Sequence, residues 1–333
     1  MPAAAVPQLL TKVFLCITFH WDVWNLSYLQ HVTEELARWP TQLDVRVVSN
    51  KHVRLNETFH SWGLPDTIQV VAAPSNLSHP YELAWIHRDL MRDAYETGEY
   101  TAFIYLEDDM RLTWKCITSW AIDQEVLDPM NFQRQFFRTE IAPWNGKEQL
   151  SDALQHVYLP TYGRTLDIGK QKKAHQHYIQ LPDPYSAVFA ATSKLMARFM
   201  QSQYWTQRIG AWPSREMAAN GIMFVDPPER FWVAAVVPFF PDKQLLSHEA
   251  AIQHLSNRYC GKRAHKQGFH DQAPPIETTG FCVMDFEDFF TQDNTTKNGP
   301  PHIDMDNVQV DTTQLIEPNR RSLSEDMLPG QSR

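Results

Sequence analysis

Cysteine is scarce in this 333-residue chain, and the four present, Cys16, Cys116, Cys260 and Cys282, lie far apart with no CxxC pair among them. That spacing excludes zinc-ribbon and thioredoxin-type arrangements, which need closely spaced sulfurs. Cys16 falls in an apolar run and reads as a buried thiol; a Cys260–Cys282 disulfide stays open, with nothing requiring it. Long apolar runs are missing too, since no segment approaches the roughly 18 residues of a membrane helix. The opening MPAAAVPQLLTK lacks the basic start and long apolar core of a signal peptide. Neither a GxxxxGK[ST] phosphate loop nor a GxSxG elbow occurs, which removes P-loop kinase and serine hydrolase readings. Internal repeats are also absent. Net positive charge is lacking: the formal charge is −9, which argues against a nucleic-acid surface or an anionic-lipid binder. Four Asn-x-Ser/Thr sequons, at Asn25, Asn56, Asn76 and Asn294, carry little weight without a secretion signal. The expectation is a cytoplasmic protein with no integral membrane segment, either peripheral to a membrane or shorn of an anchor if not freely soluble.

What is present suits a folded α/β chain. The sequence is 43% hydrophobic, with eleven Trp and eleven Tyr, rings that pack cores and also stack on sugars or bases. Lys12 to His20 is an apolar strand, and Asp22 to Trp39 spaces apolar residues at three or four, a helical face stopped by Pro40. Leu43 to Ser49 and Thr67 to Ala72 read as the next strands. Pro80 to Thr97 reads as a helix, with Ser78 as cap and Pro80 in its first turn. This rhythm implies a mostly parallel central sheet flanked by helices. Further on, Trp114 to Glu125 reads as a helix, Asn131 to Ile141 as a strand and residues 142 to 182 as an irregular excursion. Tyr185 to Ser193 and Phe231 to Phe240 read as strands, and Ser214 caps a helix after Trp212-Pro213. From about residue 291 the chain turns polar, as a flexible tail does. The expected organisation is one α/β domain over 10–290 and a tail over 291–333.

The stretch Tyr100 to Thr113, YTAFIYLEDDMRLT, organises the rest. Its apolar run ends in Glu107-Asp108-Asp109, and adjacent carboxylates repel and resist desolvation unless a cation sits among them. In open α/β sheets ligands bind outside the carboxyl ends of strands, where these acids fall. A divalent-metal site is the simplest reading; an acidic strand exit paired with Arg or a helix N-terminus is the plainer one.

An apolar strand ending in a DxD-like acidic triplet resembles the metal and nucleotide-sugar signature of GT-A-fold glycosyltransferases. The resemblance covers roughly residues 10 to 260. The succession HPYELAWIHR, YLEDDM, DPYSAVF and WPSREMAANG is similar to a little-characterised bacterial-type branch. It implies a single Rossmann-type GT-A domain, a nucleotide-sugar donor and a glycan or other hydroxyl acceptor. It also implies a divalent metal bound by Asp109, with Asp108 or Glu107 beside it, and by a late histidine, His254 or else His248. The helix before the metal strand lines the donor site in this family, which makes His79, His87 and Arg88 candidates for donor contacts. Arg88 leads them because its fork suits a diphosphate. His20 to Trp24, after the first strand, would border the nucleotide. Glu216 would be the base that activates the acceptor, with Asp183 or Asp226 in reserve. Arg215 stands where many members carry an acid, and would clamp a phosphate or pair with the base. The basic cluster Lys170-Gln171-Lys172-Lys173 faces either donor phosphates or solvent.

The chemistry is consistent with that assignment. Breaking a sugar–phosphate bond leaves a diphosphate whose charge a hard cation stabilises, and a histidine ligand favours manganese over magnesium. A carboxylate base brings inversion by one in-line displacement, although retention stays open. Rival readings are a metal-dependent phosphohydrolase or nucleotidyltransferase, for which His20-Trp21-Asp22 gives some support, and a non-catalytic sugar-binding protein.

Overall fold

A computed structural model describes residues 6–75, 77, 80–141, 146, 148–151, 165–170, 174–180, 185–206, 214–231, 233–242 and 245–257. The chain divides at Ile303, and all of these belong to the unit before it. The expected tail, the Cys260–Cys282 pair, His79, Asp183 and most of the 170–173 basic cluster fall outside the described residues.

The first half is a run of strand–helix–strand units. β1 (Lys12–Phe19) leads through α1 (Leu26–Leu36) to β2 (Gln42–Ser49), and then through α2 (His52–Trp62) to β3 (Ile68–Ala72). A 3-10 turn, Pro80–Trp85, enters α3 (Ile86–Glu96), which returns the chain to β4 (Ala102–Glu107). The three strands β1, β2 and β3 step outward in order, while β4 comes back to the other side of β1. That reversal opens a crevice between the carboxyl ends of β1 and β4, the place where such sheets take ligands. Register pairs Leu15 with Val45 and Ile104, and Ile17 with Val47 and Leu106. β1 and β4, covered on both faces, are nearly continuous apolar runs, and Leu15, Ile17, Ile104 and Leu106 are fully buried.

The second half adds β5 (Met110–Arg111), α4 (Trp114–Leu127), β6 (Gln133–Arg134), β7 (Phe137–Ile141) and β8 (Glu148–Leu150). Next come β9 (Thr165–Asp167), β10 (His177–Ile179), β11 (Val188–Thr192), α5 (Ser193–Gln201) and α6 (Ser214–Asn220). The last elements are β12 (Ala235–Phe240), β13 (Leu245–Leu246) and β14 (Ala251–His254). β11 completes the central sheet, antiparallel to β4, in the order β11-β4-β1-β2-β3. Two smaller sheets stand beside it: β13-β12-β10-β9 with β6 along β12, and β5-β14-β7-β8. Among the described residues no helix is long and apolar enough to cross a membrane.

Four local expectations change. A helix, α2, fills the connection between β2 and β3; its buried Leu55 and Phe59 stand four apart and Gly63, at φ 67°, terminates it. The helix expected from Pro80 begins as a 3-10 turn and becomes α-helical only at Ile86. Asn131 to Ile141 is not one strand but two, β6 and β7, which join different sheets. The excursion over 142 to 182 contributes β8, β9 and β10 to those sheets.

Ile104 lies at the centre of β4 with β1 on one side and β11 on the other. Truncation to Ala is expected to cost about 2–5 kcal/mol, the range for emptying a buried aliphatic site. Urea unfolding of Ile104→Ala against wild type measures it.

Candidate active site

At the end of β4 the chain leaves the sheet through three acids in different settings. Glu107 is half-buried, accepts a hydrogen bond from the Tyr185 hydroxyl at 2.8 Å, and is registered against Thr18 of β1. Its N–H is held by Ala187 O at 3.2 Å. Asp108 is half-buried in the turn that follows. Asp109 turns inward and is 4% exposed.

The small third sheet explains what Asp109 meets. β5 runs antiparallel to β14, pairing Met110 with His254 and Arg111 with Gln253. β14 runs parallel to β7, pairing Gln253 with Thr139, so that His254 and Glu140 come next in register. Leu255 N–H donates to Asp109 O at 2.8 Å and closes the edge. His254 Nε2 then lies 3.0 Å from Asp109 Oδ2 and 2.8 Å from Ser256 Oγ, while Nδ1 is hydrogen-bonded to Glu140 Oε1. His254 and Glu140 are both buried, Glu140 completely.

Burial alone would push the imidazole toward its neutral form. Asp109 and then Glu140 outweigh it and raise the His254 pKa from its ordinary 6.5 to about 8. The two carboxylates sit on opposite ring nitrogens and so do not converge. Among the described residues no group of three or more His, Cys, Asp and Glu is arranged to hold one metal ion. What does converge is a pair, Asp109 Oδ2 and His254 Nε2, with Glu140 fixing the ring from behind. A carboxylate on the far nitrogen of a histidine sets its tautomer and orientation, the usual support for a metal-binding imidazole.

The other candidates lie in varied places. His20 is exposed just beyond β1, with its Nε2 3.2 Å from Asn50 Nδ2, and Asn50 Oδ1 accepts from Trp21 N–H at 2.8 Å. Asp22 caps the following turn through Trp24 N–H at 3.0 Å, leaving the Trp24 side chain 79% exposed at the same edge. His248 is exposed, in a turn where its Nδ1 lies 3.7 Å from Glu148 Oε2, so His254 is the histidine that reaches Asp109. Asp226 is exposed and faces Arg198 at 3.8 Å. Glu216 is half-buried in the first turn of α6, while the Arg215 side chain lies outside the described residues. α6 packs on the Pro80–Trp85 turn and on β11. That turn belongs to the connection that leaves the carboxyl end of β3 and enters α3.

Arg88 requires a correction. Expected to present its fork to a diphosphate, it is buried, 3% exposed, and its two Nη groups donate to four backbone carbonyls. With those donors taken, it holds protein rather than donor phosphate. Its neighbour His87 is also core: fully buried, its ring 4.2 Å from that of Tyr105, and hydrogen-bonded through Nδ1 to Ala84 O. Burial, then the Arg88 charge, keeps its pKa well below 6.5.

Sequence reasoning missed Glu140 and Ser256. The only signal for Glu140 is an acid inside the short strand Phe137–Ile141, which needs a partner if the strand is buried.

No protein-family pattern matches the chain, and no curated protein does. Distant likeness to solved structures exists. S. aureus TarS matches at a TM-score of 0.34 and 10% identity, over 64% of this chain and 32% of TarS. A CMP:2-keto-3-deoxy-manno-octonic acid synthetase complexed with CTP matches at 0.32 and 11%, over 57% of this chain and 78% of that one. A shorter TarS chain, residues 1–349, matches at 0.33 and 11%. The present chain thus spans only 32% of the full TarS chain. Likeness this distant leaves the site to be judged on its own geometry.

A pKa raised on folding stabilises the protein below the unfolded value and loses that contribution as pH rises through the folded one. The His254 contribution is therefore expected to be complete below about pH 6.5 and to fade through about pH 8 in metal-free protein. Thermal unfolding across that window should show the decline, and His254→Gln should remove it. An equal decline in the variant would contradict the assignment.

Proposed function

We propose that the protein is a metal-dependent glycosyltransferase that moves a sugar from a nucleotide-sugar donor to a hydroxyl acceptor. The observation that carries this reading is the pair Asp109 Oδ2 and His254 Nε2, 3.0 Å apart beside the crevice between β1 and β4, with Glu140 on the far ring nitrogen. One oxygen and one imidazole nitrogen suit a divalent transition metal, manganese before magnesium. Asp109 and His254 would hold the ion with Asp108 close by, leaving its other positions to the donor and water. A bound divalent ion supplies charge stabilisation for the diphosphate that departs.

The chain's own groups supply the rest. Glu140 keeps Nδ1 protonated, so that Nε2, once it gives up the proton it shares with Asp109, is the nitrogen left to bind the ion. The exposed face of Trp24, with His20 and Asn50 beside it, offers a surface for the nucleoside at the end of β1. The Tyr185 hydroxyl orients the Glu107 carboxylate through Oε1 at the end of β4, where it stays a candidate donor contact. Glu216, from α6, takes the proton of the acceptor hydroxyl and thereby favours inversion. Arg215, its neighbour in α6, remains a candidate phosphate clamp. A phosphohydrolase using His20-Trp21-Asp22 as a second centre has less support, since Asp22 caps a turn and His20 pairs with Asn50.

The direct test is thermal shift with manganese and a panel of UDP-, GDP- and CMP-sugars. Coupled stabilisation, present only with both components, is expected for wild type and absent for Asp109→Asn. Glu140→Gln should weaken manganese about 10–100-fold, the usual cost of losing such a supporting carboxylate. Manganese affinity should also rise with pH through about 8, because His254 must first release a proton. Glu216→Gln should leave donor binding intact while turnover falls about 100-fold or more. Stabilisation by sugar nucleotide alone, unchanged in Asp109→Asn, would overturn the reading.

A further inference from the structure

We infer that Arg88 is a positioning residue that seats helix α6, and with it Glu216. This rests on the assignment of Glu216 as the base. α6 has only seven residues, too few to hold its own conformation, and the last carbonyls of any helix lack intrahelical partners. Arg88 Nη2 donates to two of them, Met217 O at 3.0 Å and Ala218 O at 3.1 Å. Nη1 donates to Tyr204 O at 2.7 Å and to Trp205 O. One guanidinium from α3 thus joins the turn after α5 to the carbonyl end of α6, two segments separated in sequence by residues 207–213.

The surroundings are built for that group. Trp85, Phe199 and Trp205 place their rings 4.1, 5.0 and 5.7 Å from the guanidinium carbon. Gly221, directly after α6, leaves the space that the fork needs. A Cβ there would lie 2.9 Å from Arg88 Nη2 and 3.0 Å from Tyr204 O, closer than such contacts allow. Burying a charge in this setting is costly, and burial pulls the Arg88 pKa down to about 9, which still leaves it protonated at neutral pH. An apolar residue would fill the space more cheaply but would take four donated hydrogen bonds from these carbonyls. The held carbonyl of Met217 belongs to the residue directly after Glu216, so a shift in the fork moves the carboxylate. A misplacement of about 1 Å can cost about 100-fold in rate.

Arg88→Lys keeps the charge but offers a compact ammonium that cannot serve four carbonyls in one plane. Gly221→Ala leaves Arg88 in place and presses on its fork, which gives an independent route to the same disturbance. Amide hydrogen exchange of α6 is read relative to α1. Turnover is read as release of free nucleotide from whichever UDP-, GDP- or CMP-sugar the wild type consumes with manganese, well below each variant's Tm. Both variants are expected to speed exchange in α6 and to lower kcat about 10–100-fold, with donor KM little changed. The acidic limb of the pH profile should shift. Arg88→Lys in a Glu216→Gln background should add almost no further loss, because the two residues act as a unit. Unchanged α6 exchange, or a kcat loss that simply adds to that of Glu216→Gln, would overturn the inference. If Glu216→Gln keeps its turnover while Arg88→Lys loosens α6, the base assignment fails and the seating of α6 stands.

Discussion

Three ionisable side chains from separate stretches of chain, Asp109, His254 and Glu140, are buried in one hydrogen-bonded row, and none could be desolvated alone. An isolated carboxylate in that position would cost several kcal/mol or give up its charge. Paired through the two nitrogens of one imidazole, the acids become tolerable, and the row fixes the registers of β5, β14 and β7 against one another. The same row ties the exit of β4 to the last described strand. Sequence neighbours of the crevice are thereby held to residues more than a hundred positions away.

A second buried row shows what a purely structural version looks like. Asp123 of α4 receives the His175 N–H at 2.9 Å and the Tyr178 hydroxyl at 2.9 Å, with Arg134 Nε 3.5 Å away. His175 Nε2 continues to Ser247 Oγ at 3.0 Å. Burial would raise the Asp123 pKa, but hydrogen bonds from His175 and the Arg134 charge hold it below its ordinary value. The members of that row lie on α4, β6 and β10 and in the connections before β10 and after β13. The Asp109 row differs in following directly on β4, beside which the strand order reverses.

How much was legible follows from how local each signal is. The central sheet could be read because strands covered on both faces are nearly continuous apolar runs, as in Lys12–Phe19 and Ala102–Glu107. Asp109 and His254 could be named from residue type and position, yet Glu140 could not, because its burial exists only once β7 lies beside β14. Arg88 was misread for a similar reason. A lone arginine ahead of an acidic strand suits phosphate or carbonyls equally, and the aromatic cage and Gly221 that decide between them lie far along the chain. β5, β6 and β13 are two residues long, below any periodicity, so these strands had no sequence signature, whereas β12 was read within Phe231–Phe240.

The central claim is that Asp109 and His254 are two arms of one metal site. Anomalous diffraction at the manganese edge, from crystals grown with manganese and a nucleoside diphosphate, measures this directly. The account predicts a peak bound by Asp109 Oδ2 and His254 Nε2, with Glu140 still on Nδ1. A peak held by other side chains, with the Asp109–His254 hydrogen bond intact, would contradict it.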